Sequence, residues 1–336
     1  MRQQLAPPPA EPVEPGPVPS FAVIIAAYQA AETIGAAVGS ALEQSVPPRE
    51  VVVCDDGSTD DLEGALAPYR DRIALLRKEN GGAASAWNMA ARAASSEFVV
   101  TLDADDVYLP ERVEALGELA SSRPDLDILT TDAYIELDRR RLGRYYRDPS
   151  DFVVEDQRTG IINGDFVFGS AAIRRERLLE IGGFDESLPC AEDRDCWLRL
   201  ILSGSRAGLV AEPLLVYRLR RGSLSADRVL NLRTAIGILE RARSQFELSP
   251  HEEALLTRCV RAMDEDIRLS EAEAAIKSGD AEARRRALAI ARSRDFRAST
   301  RLKSALSAVA PRLAGLYLRR RRKQPRQPRL TQPRDG

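Results

Sequence analysis

Three carboxylates within four positions have the clearest potential for chemistry in this sequence. They follow the apolar run 98–102 and read Asp103-Ala104-Asp105-Asp106, a segment that we call the acidic turn. Crowded carboxylates repel one another, and burying an unpaired carboxylate costs several kcal/mol. The acidic turn is therefore either fully solvated or neutralised by a cation. Because its ligands are oxygen atoms, the second alternative favours a hard cation such as Mg²⁺ or Mn²⁺.

The elements that must position these carboxylates are predicted to alternate between strands and helices. Continuous apolar runs are typical of parallel strands covered on both faces, and they occur at 21–27, 51–54, 73–76 and 98–102. Apolar residues at helical spacing follow the first and third runs. Repeated strand–helix units predict an α/β fold with a mainly parallel sheet and right-handed crossovers.

A second acidic pair, Asp55-Asp56, ends the second predicted strand, and Tyr28 follows the first. In open α/β sheets, ligands bind outside the carboxyl ends of the strands. Two acidic turns and an aromatic residue at one edge of the sheet therefore predict a nucleotide or metal site there.

The sequence lacks the two common phosphate-binding loops. No Gly-x-Gly-x-x-Gly follows the first strand, and no Gly-x-x-x-x-Gly-Lys-Ser/Thr occurs. Their absence argues against a dinucleotide dehydrogenase and a P-loop NTPase. Any phosphate would then be held by a metal or by basic side chains.

Composition excludes several further classes. The 336 residues have a net charge of −2, which gives no basis for nucleic-acid binding. The four cysteines have no Cys-x-x-Cys spacing and no neighbouring histidine, which argues against a zinc site or a disulfide scaffold. The single histidine, His251, follows Ser249-Pro250 and is expected on the surface at a helix start, so histidine-based catalysis is disfavoured.

We expect a cytoplasmic protein, or one on the cytoplasmic face of a membrane. No run of about 18 apolar residues predicts a spanning helix, and the N-terminus lacks the layout of a signal peptide.

Four ordered motifs resemble those of the inverting glycosyltransferases of family 2, which have the GT-A fold. They are 23–28, 51–60, 102–106 and, towards the acceptor side, 182–186 with 192–199. The resemblance implies a nucleotide-diphospho-sugar transferase fold, with a Rossmann-like, mixed and mainly parallel sheet, over residues 20–225. Residues 1–19 are predicted to be a disordered Pro-rich tail, 226–305 a helical extension, and 306–336 a basic amphipathic tail.

The resemblance implies a donor-binding role for the strand ends. Ala27 and Tyr28 would form the wall beside the uracil, with Tyr28 available to the base. Asp55 would accept a hydrogen bond from the base, and Asp56 would line the same turn. Asp103 would face the ribose hydroxyls.

The resemblance also implies the metal and catalytic residues. Asp105 would carry Mn²⁺ or Mg²⁺ and through it reach the diphosphate, while Ala104 and Asp106 would contact the nucleotide sugar. Asp193 would be the general base, and Glu192 beside it would contact the nucleotide sugar. Glu192 and Asp193 also fit the first turn of a helix, where carboxylates interact favourably with the helix dipole. Asp193 can be both a general base and a residue of the first helical turn if the start of the helix faces a cleft.

Two positions depart from the family pattern. Arg220 stands where relatives often have a histidine near the metal, so the metal would rely on Asp105, phosphates and water. Alternatively, Arg220 or Arg221 contacts the diphosphate directly. Trp87 stands where relatives often have an arginine on the donor side.

The sequence therefore predicts a metal-dependent transferase that takes a sugar from a nucleotide donor, most readily a UDP-sugar. The acceptor would be a surface glycan, a lipid-linked sugar or another hydroxyl compound. The alternative is a non-catalytic module that binds a nucleotide sugar or a glycan. A sugar-phosphate nucleotidylyltransferase is disfavoured because the Gly-rich, basic opening of that class is absent.

The C-terminal tail carries its own prediction. Apolar residues from Leu306 to Leu318 precede an arginine run, and on an anionic leaflet each basic group contributes about 1 kcal/mol. This pattern predicts peripheral membrane contact, with a solvated tail as the alternative.

Overall fold

The computed structural model describes residues 2–9, 12–219, 227–278, 280, 282–293, 296 and 298–309. The chain divides into two compact units, Met1–Ser223 and Leu224–Gly336. The predictions made for Arg220, Arg221 and the tail beyond residue 309 lie outside the described residues.

Ten strands of the described residues form one sheet. They are β1 (Gln4–Leu5), β2 (Phe21–Ala27), β3 (Glu50–Asp55), β4 (Ala74–Arg77), β5 (Phe98–Asp103), β6 (Val107–Tyr108), β7 (Ile128–Leu137), β8 (Arg140–Arg144), β9 (Ala172–Arg174) and β10 (Ala207–Leu219). The strand order is β1-β10-β7-β9-β5-β2-β3-β4, with β6 paired to β10 and β8 paired to β7.

Helices occupy most of the remaining described chain. They are α1 (Ile34–Leu42), α2 (Leu62–Leu66), α3 (Ala83–Ala93), α4 (Arg112–Ser122), α5 (Gln157–Asn163), α6 (Arg175–Glu180), α7 (Glu192–Leu202), α8 (Arg228–Gln245), α9 (Pro250–Ser278), α10 (Ala283–Arg292) and α11 (Ala298–Val309). Two short 3-10 helices cover Ala67–Arg72 and Pro149–Asp151.

The parallel part of the sheet confirms the α/β prediction. Strand β2 lies between β3 and β5 and is parallel to both, and β4 extends the run beside β3. The three central strands are buried along almost their whole length, which is the reason that their sequences are continuous apolar runs. Their common direction brings three carboxyl ends to one edge.

The second half of the sheet is mixed. Strand β9 is antiparallel to both β5 and β7, whereas β10 is parallel to β7. Strands β1, β6 and β8 add antiparallel pairs. These later strands carry the C-terminal end of β10 to the acidic turn, where Arg218 bonds to Asp106.

The start of the chain differs from the predicted disorder. Strand β1 pairs antiparallel with β10, in the register Gln4 to Val210. Arg2 forms ion pairs with Glu111 and Glu118, at N–O distances of 3.0 and 2.8 Å. An edge strand offers unpaired backbone groups, and a short segment of this tail satisfies them. The prediction of disorder came from the Pro-rich composition of residues 1–19, and the two residues that pair with β10 are too few to change that composition.

The second unit consists of helices. The N-terminus of α9 is capped reciprocally, since Ser249 N donates to Glu252 and Glu252 N donates to Ser249 Oγ. His251 lies exposed in this first turn, as predicted. A small apolar cluster joins α9, α10 and α11, and it contains Ala275, Ile276, Ala283, Ala287 and Ala308. Within the described residues, no helix has the length and apolar character needed to cross a membrane.

Candidate functional site

The strand ends meet as the parallel topology requires. Ala27 pairs in register with Asp55 on β3, and Ala26 pairs with Asp103 on β5. Beyond β2, the Tyr28 side chain is 52% exposed. The structure therefore brings an open aromatic ring and two carboxylates to one rim, as the sequence predicted.

Asp55 and Asp56 are adjacent but differ in their surroundings. Asp55 accepts a hydrogen bond from Ser58 N at 2.8 Å, and its Oδ2 lies 3.5 Å from Arg77 Nε. Because Arg77 is mostly exposed, Asp55 keeps its orientation without a buried counter-charge. Its position at the end of β3 leaves it beside Tyr28 at the rim.

Asp56 is an anchor for the loop between β4 and α3. Its Oδ1 accepts from Lys78 Nζ and Gly81 N, both at 2.9 Å, and its Oδ2 accepts from Gly82 N at 2.8 Å. The residue is only 2% exposed. Three donors already satisfy this carboxylate, so its evident role is to fix the loop that starts α3.

Gln29 connects the loops after β2 and β3, and sequence reasoning did not find it. Its backbone adopts a positive φ of 50°. Its side-chain oxygen accepts from Thr59 N and Asp60 N at 3.2 and 3.1 Å, and its own N donates to Ser58 Oγ at 3.0 Å. No residue type or spacing in the sequence signals this tie.

The acidic turn lies close to the start of α7. Desolvation, and then the charges of Asp105, Glu192 and Asp193, raise the pKa of Asp103 to about 7. Asp103, Asp105 and Asp193 are partly exposed, so a ligand can reach them. Two acidic motifs that are distant in sequence thus form a single carboxylate cluster.

Asp106 ties the acidic turn to β10. It is 1% exposed, and its Oδ1 accepts from Arg218 N at 2.8 Å. Its Oδ2 has no hydrogen-bond partner in the part of the chain that the structure describes. Desolvation, and then the charge of Asp103, raise the pKa of Asp106 well above its ordinary value.

The chemistry of this donor set fits a hard divalent cation. The ligands offered are carboxylate oxygens, and among the described residues Asp106 Oδ2 is a buried one without a hydrogen-bond partner. Across the described ranges, no group of three or more His, Cys, Asp or Glu is arranged to hold a metal ion by itself. Mg²⁺ is commonly bound by one or two carboxylates together with substrate phosphates, which is the arrangement these residues could support.

Asp193 stands in the first turn of α7. The helix begins after Ala191, which has a positive φ of 61°, and Asp193 Oδ1 accepts from Arg194 N at 2.7 Å. Desolvation, and then the charges of Glu192 and Asp165, raise the pKa of Asp193 to about 7 against an opposing effect of Arg194. A carboxylate with a near-neutral pKa is suited to take a proton from a hydroxyl.

Gly169 is a site residue that sequence reasoning missed. A Cβ atom at this position would lie 2.5 Å from Asp193 Oδ2, so any other residue would displace the carboxylate from its observed position. A lone glycine in a stretch without motifs carries no sequence signal of this contact.

A buried arginine lies behind the carboxylate cluster, and it too was missed. Arg112 at the start of α4 is fully buried and donates to Thr131 Oγ1 and to the carbonyl of Ser170. Desolvation lowers its pKa, whereas the charges of Tyr108 and Asp106 act in the opposite direction. Arg112 thus places a positive charge beneath the cluster and holds the residue that follows Gly169.

Helix α3 is bound to the motif 182–186. Asn88 Nδ2 donates to Phe184 O and Glu186 Oε1, both at 2.8 Å, and Asn88 Oδ1 accepts from Phe184 N at 2.8 Å. The ring of Trp87 packs on Phe184 with centroids 5.3 Å apart. Trp87 therefore fills the core between two motifs.

Comparison with known families identifies the α/β unit. Residues 22–182 match the family model described as Glycosyl transferase family 2. Succinoglycan biosynthesis protein ExoU from Rhizobium meliloti is 34% identical over 228 residues, which are 63% of this chain and 66% of that protein. An uncharacterized glycosyltransferase from Rickettsia felis is 29% identical over 193 residues, which are 54% of this chain and 31% of that protein. The chain therefore spans less than two thirds of the length of several curated relatives.

Two solved structures have a similar fold. S. aureus TarS 1-349 in complex with UDP-GlcNAc has a TM-score of 0.60 and 19% identity, covering 86% of this chain and 91% of that one. Mannosyltransferase PcManGT from Pyrobaculum calidifontis, in complex with GDP-Man and Mn²⁺, has a TM-score of 0.56 and 23% identity, covering 92% and 91%. At these identities the likeness establishes the fold and nothing further.

Proposed function

Because the chain belongs to glycosyl transferase family 2 and has the GT-A fold, we propose that it transfers a sugar from a nucleotide donor to an acceptor hydroxyl. The observation that carries the proposal is the convergence of Asp103, Asp105 and Asp193 at the carboxyl edge of the parallel strands. In this proposal the donor-binding rim and the base face the same space, as a single displacement with inversion requires.

The donor would bind along the ends of β2, β3 and β5. Tyr28 would contact the base, Asp55 would accept a hydrogen bond from it, and Asp103 would face the ribose. We favour a UDP-sugar, and similar folds bind UDP-GlcNAc and GDP-Man. Asp56 would act indirectly, by holding the loop 78–82 under this rim.

A divalent metal would be held by Asp105, with Asp103 and Asp106 beside it. When bound, it would neutralise the charge that develops on the leaving diphosphate. PcManGT was solved with Mn²⁺, and the oxygen donors of this chain suit Mn²⁺ or Mg²⁺ equally. The buried Arg112 would limit the repulsion among these carboxylates when no ligand is present.

Asp193 would act as the general base. It would accept the proton of the acceptor hydroxyl while that oxygen forms a bond to the anomeric carbon and the bond from this carbon to the diphosphate breaks. Asp193 Oδ1 is oriented by Arg194 N, and Glu192 raises its affinity for the proton. One base without an enzyme nucleophile gives inversion at the anomeric carbon.

Nucleotide release from a panel of UDP-, GDP- and dTDP-sugars with Mn²⁺ is the experiment that tests this proposal. Asp193→Asn should lower kcat by about 10² to 10⁴ while donor binding persists, and Asp105→Ala should abolish turnover. Asp156→Asn is the matched control, because asparagine can replace the carboxylate that caps α5. Nucleotide binding without any release would instead support the non-catalytic module.

The acceptor would belong to surface polysaccharide or lipid-linked glycan synthesis. The succinoglycan biosynthesis protein that matches this chain supports this class. The enzyme would work in the cytoplasm or on the cytoplasmic face of the membrane, which agrees with four buried cysteines that form no disulfide.

A further inference from the structure

A group of aromatic side chains lies beside Asp193, and it consists of Tyr145, Phe168 and Tyr217. Phe168 is buried at its centre, with ring centroids 4.6 Å from Tyr145 and 5.7 Å from Tyr217. Both tyrosines are partly exposed. We call these three residues the aromatic wall.

The aromatic wall adjoins the proposed base in two ways. Gly169 directly follows Phe168 in the chain, and its backbone approaches Asp193 so closely that a Cβ would lie 2.5 Å from Oδ2. In addition, the pKa of Tyr145 is raised well above its ordinary value by desolvation, and then by the neighbouring Tyr146, Asp165 and Asp193. Tyr145 is therefore within electrostatic range of the base.

The wall is held rigidly by the residue next to Tyr145. Tyr146 N donates to the buried Asp132 at 3.0 Å, and Tyr146 OH donates to Phe166 O at 2.7 Å. The same hydroxyl accepts from Phe168 N at 3.0 Å. The segment that carries Tyr145 and the segment that carries Phe168 are thus joined through the buried hydroxyl of Tyr146. A surface that is fixed before a ligand binds loses little conformational entropy on binding.

The charge around the wall is negative. Glu192 and Asp193 stand at the start of α7, and Asp165 is offset by Arg194, with Oδ1 and Nε 3.2 Å apart. An anionic acceptor would be repelled by these carboxylates unless a cation intervened. A neutral acceptor with hydroxyl groups could instead donate to them.

We propose that the aromatic wall is the acceptor subsite, and that the acceptor is a neutral pyranose ring at the end of a glycan. The apolar C–H face of the ring packs on Tyr145 and Tyr217, and one hydroxyl points to Asp193. Aromatic rings provide a large flat apolar area, and the tyrosine hydroxyls add polar ends. A ring-free polyol phosphate would use neither the flat surface nor the negative surroundings. This inference rests on the function proposed above.

Saturation-transfer NMR tests the subsite without knowledge of the donor. The full chain with UDP and Mg²⁺, which is diamagnetic, is mixed with methyl glucoside, galactoside and mannoside, or with glycerol phosphate. We expect saturation on the ring C–H protons of at least one pyranoside and none on glycerol phosphate. Tyr145→Ala should lower the signal at least fivefold, while Tyr145→Phe, which keeps the ring, should retain most of it.

The controls separate the subsite from misfolding. Tyr134 lies on the neighbouring strand β7 under Arg141, and Tyr134→Ala should leave the signal unchanged. Tyr145→Leu keeps apolar volume but loses the flat ring, so it should also lose signal while melting near the wild-type temperature. An equal signal from Tyr145→Ala and the wild type, or saturation of glycerol phosphate alone, would overturn the proposal.

The failure of this inference can be told apart from the failure of the proposed function. If UDP saturates but no pyranoside does, the acceptor subsite is wrong and the donor site stands. If UDP, and GDP in a parallel sample, both fail to bind with Mg²⁺ while a pyranoside binds at the wall, the donor assignment is wrong. Failure of nucleotides and pyranosides alike overturns both.

Discussion

At the residue scale, the central property of Asp193 is its affinity for a proton. Desolvation and the neighbouring Glu192 and Asp165 raise its pKa to about 7, whereas an ordinary aspartate in water ionises near pH ~3.9. Desolvation, and then the neighbouring carboxylates, raise the pKa of Asp103 to about 7. The site therefore contains two carboxyl groups whose pKa values lie near neutrality.

This property predicts a pH profile for the reaction. A general base must be deprotonated, so kcat/KM should rise about tenfold per pH unit below pH 7 and level off above it. The measurement is kcat/KM between about pH 5.5 and about pH 8.5 with saturating Mn²⁺. Its pH dependence reports the ionisations of the enzyme before substrate binds. Asp193→Asn should remove this ionisation together with most of the activity. A wild-type profile that is flat through pH 7 would contradict the assignment.

Gly169→Ala is a second prediction at this scale. The added methyl group would lie 2.5 Å from Asp193 Oδ2, so the carboxylate must move. Displacement of a catalytic group by about 1 Å can cost about 10²-fold, so we expect kcat to fall by at least tenfold and donor affinity to persist.

Gly237→Ala is the matched control for that substitution. Gly237 lies inside α8, and nothing stands within 4 Å of a Cβ built there. The change should leave kcat unchanged and stabilise the protein by about 0.5–1 kcal/mol. Wild-type kcat in Gly169→Ala would show that the close approach does not position the base.

At the scale of elements, loops tied across the sheet edge give the rim its shape. Gln29 joins the loops after β2 and β3, Asn88 joins α3 to residues 182–186, and Asp106 joins the acidic turn to β10. Each tie uses one polar side chain that accepts from or donates to the backbone. The parallel strands determine where the rim lies, and these hydrogen bonds hold its loops in place.

Asp56→Ala tests an element rather than a ligand contact. Loss of the carboxylate leaves Lys78 Nζ and the backbone N–H groups of Gly81 and Gly82 without their partner. Because breaking a buried ion pair costs about 3–5 kcal/mol, we expect the free energy of unfolding in urea to fall by about that amount.

Asp61→Ala provides the comparison for this measurement. Asp61 only caps α2, through Gly64 N at 3.1 Å, so its loss should cost about 1 kcal/mol. If Asp56→Ala unfolds like the wild type and loses only donor affinity, Asp56 contacts the nucleotide directly, as the family resemblance implied.

At the scale of the whole molecule, an exposed apolar face on α11 supports the proposal of membrane contact. Leu302 and Leu306 are each 63% exposed and Val309 is 83% exposed, and spacings of four and three place them on one side of the helix. The arginine run follows beyond the described residues. Apolar groups and basic charge together favour an anionic leaflet.

Vesicle sedimentation tests this proposal. The full chain should bind vesicles containing phosphatidylserine, and Leu302→Glu with Leu306→Glu should weaken that binding at least about tenfold. Val18→Glu is the control, since Val18 is 67% exposed but belongs to the other unit. Equal binding by the double variant and the wild type would contradict a membrane role for α11, and binding to neutral vesicles alone would contradict the role of the basic charge.

The sequence by itself determined the parallel strands and the acidic motifs at their ends. Strands covered on both faces must be continuously apolar, so β2, β3 and β5 could be found from local composition. Parallel strands must also end at a common edge, so the placement of Asp55 and Asp103 at the same edge, on either side of β2, followed from the pattern. The GT-A fold and the family were recognised separately, from the resemblance of four ordered motifs to those of family 2.

Only the tertiary structure decided which side chains complete the site. Gly169, Arg112 and Tyr145 act through contacts between residues far apart in the chain, and no local periodicity records such contacts. The pairing of β1 with β10 was hidden in a Pro-rich tail because two residues are too few to form a pattern. Local composition determines the helices and strands. The pKa values of the site carboxylates depend on their burial and on nearby charges, and both are decided only when distant loops approach each other in the fold.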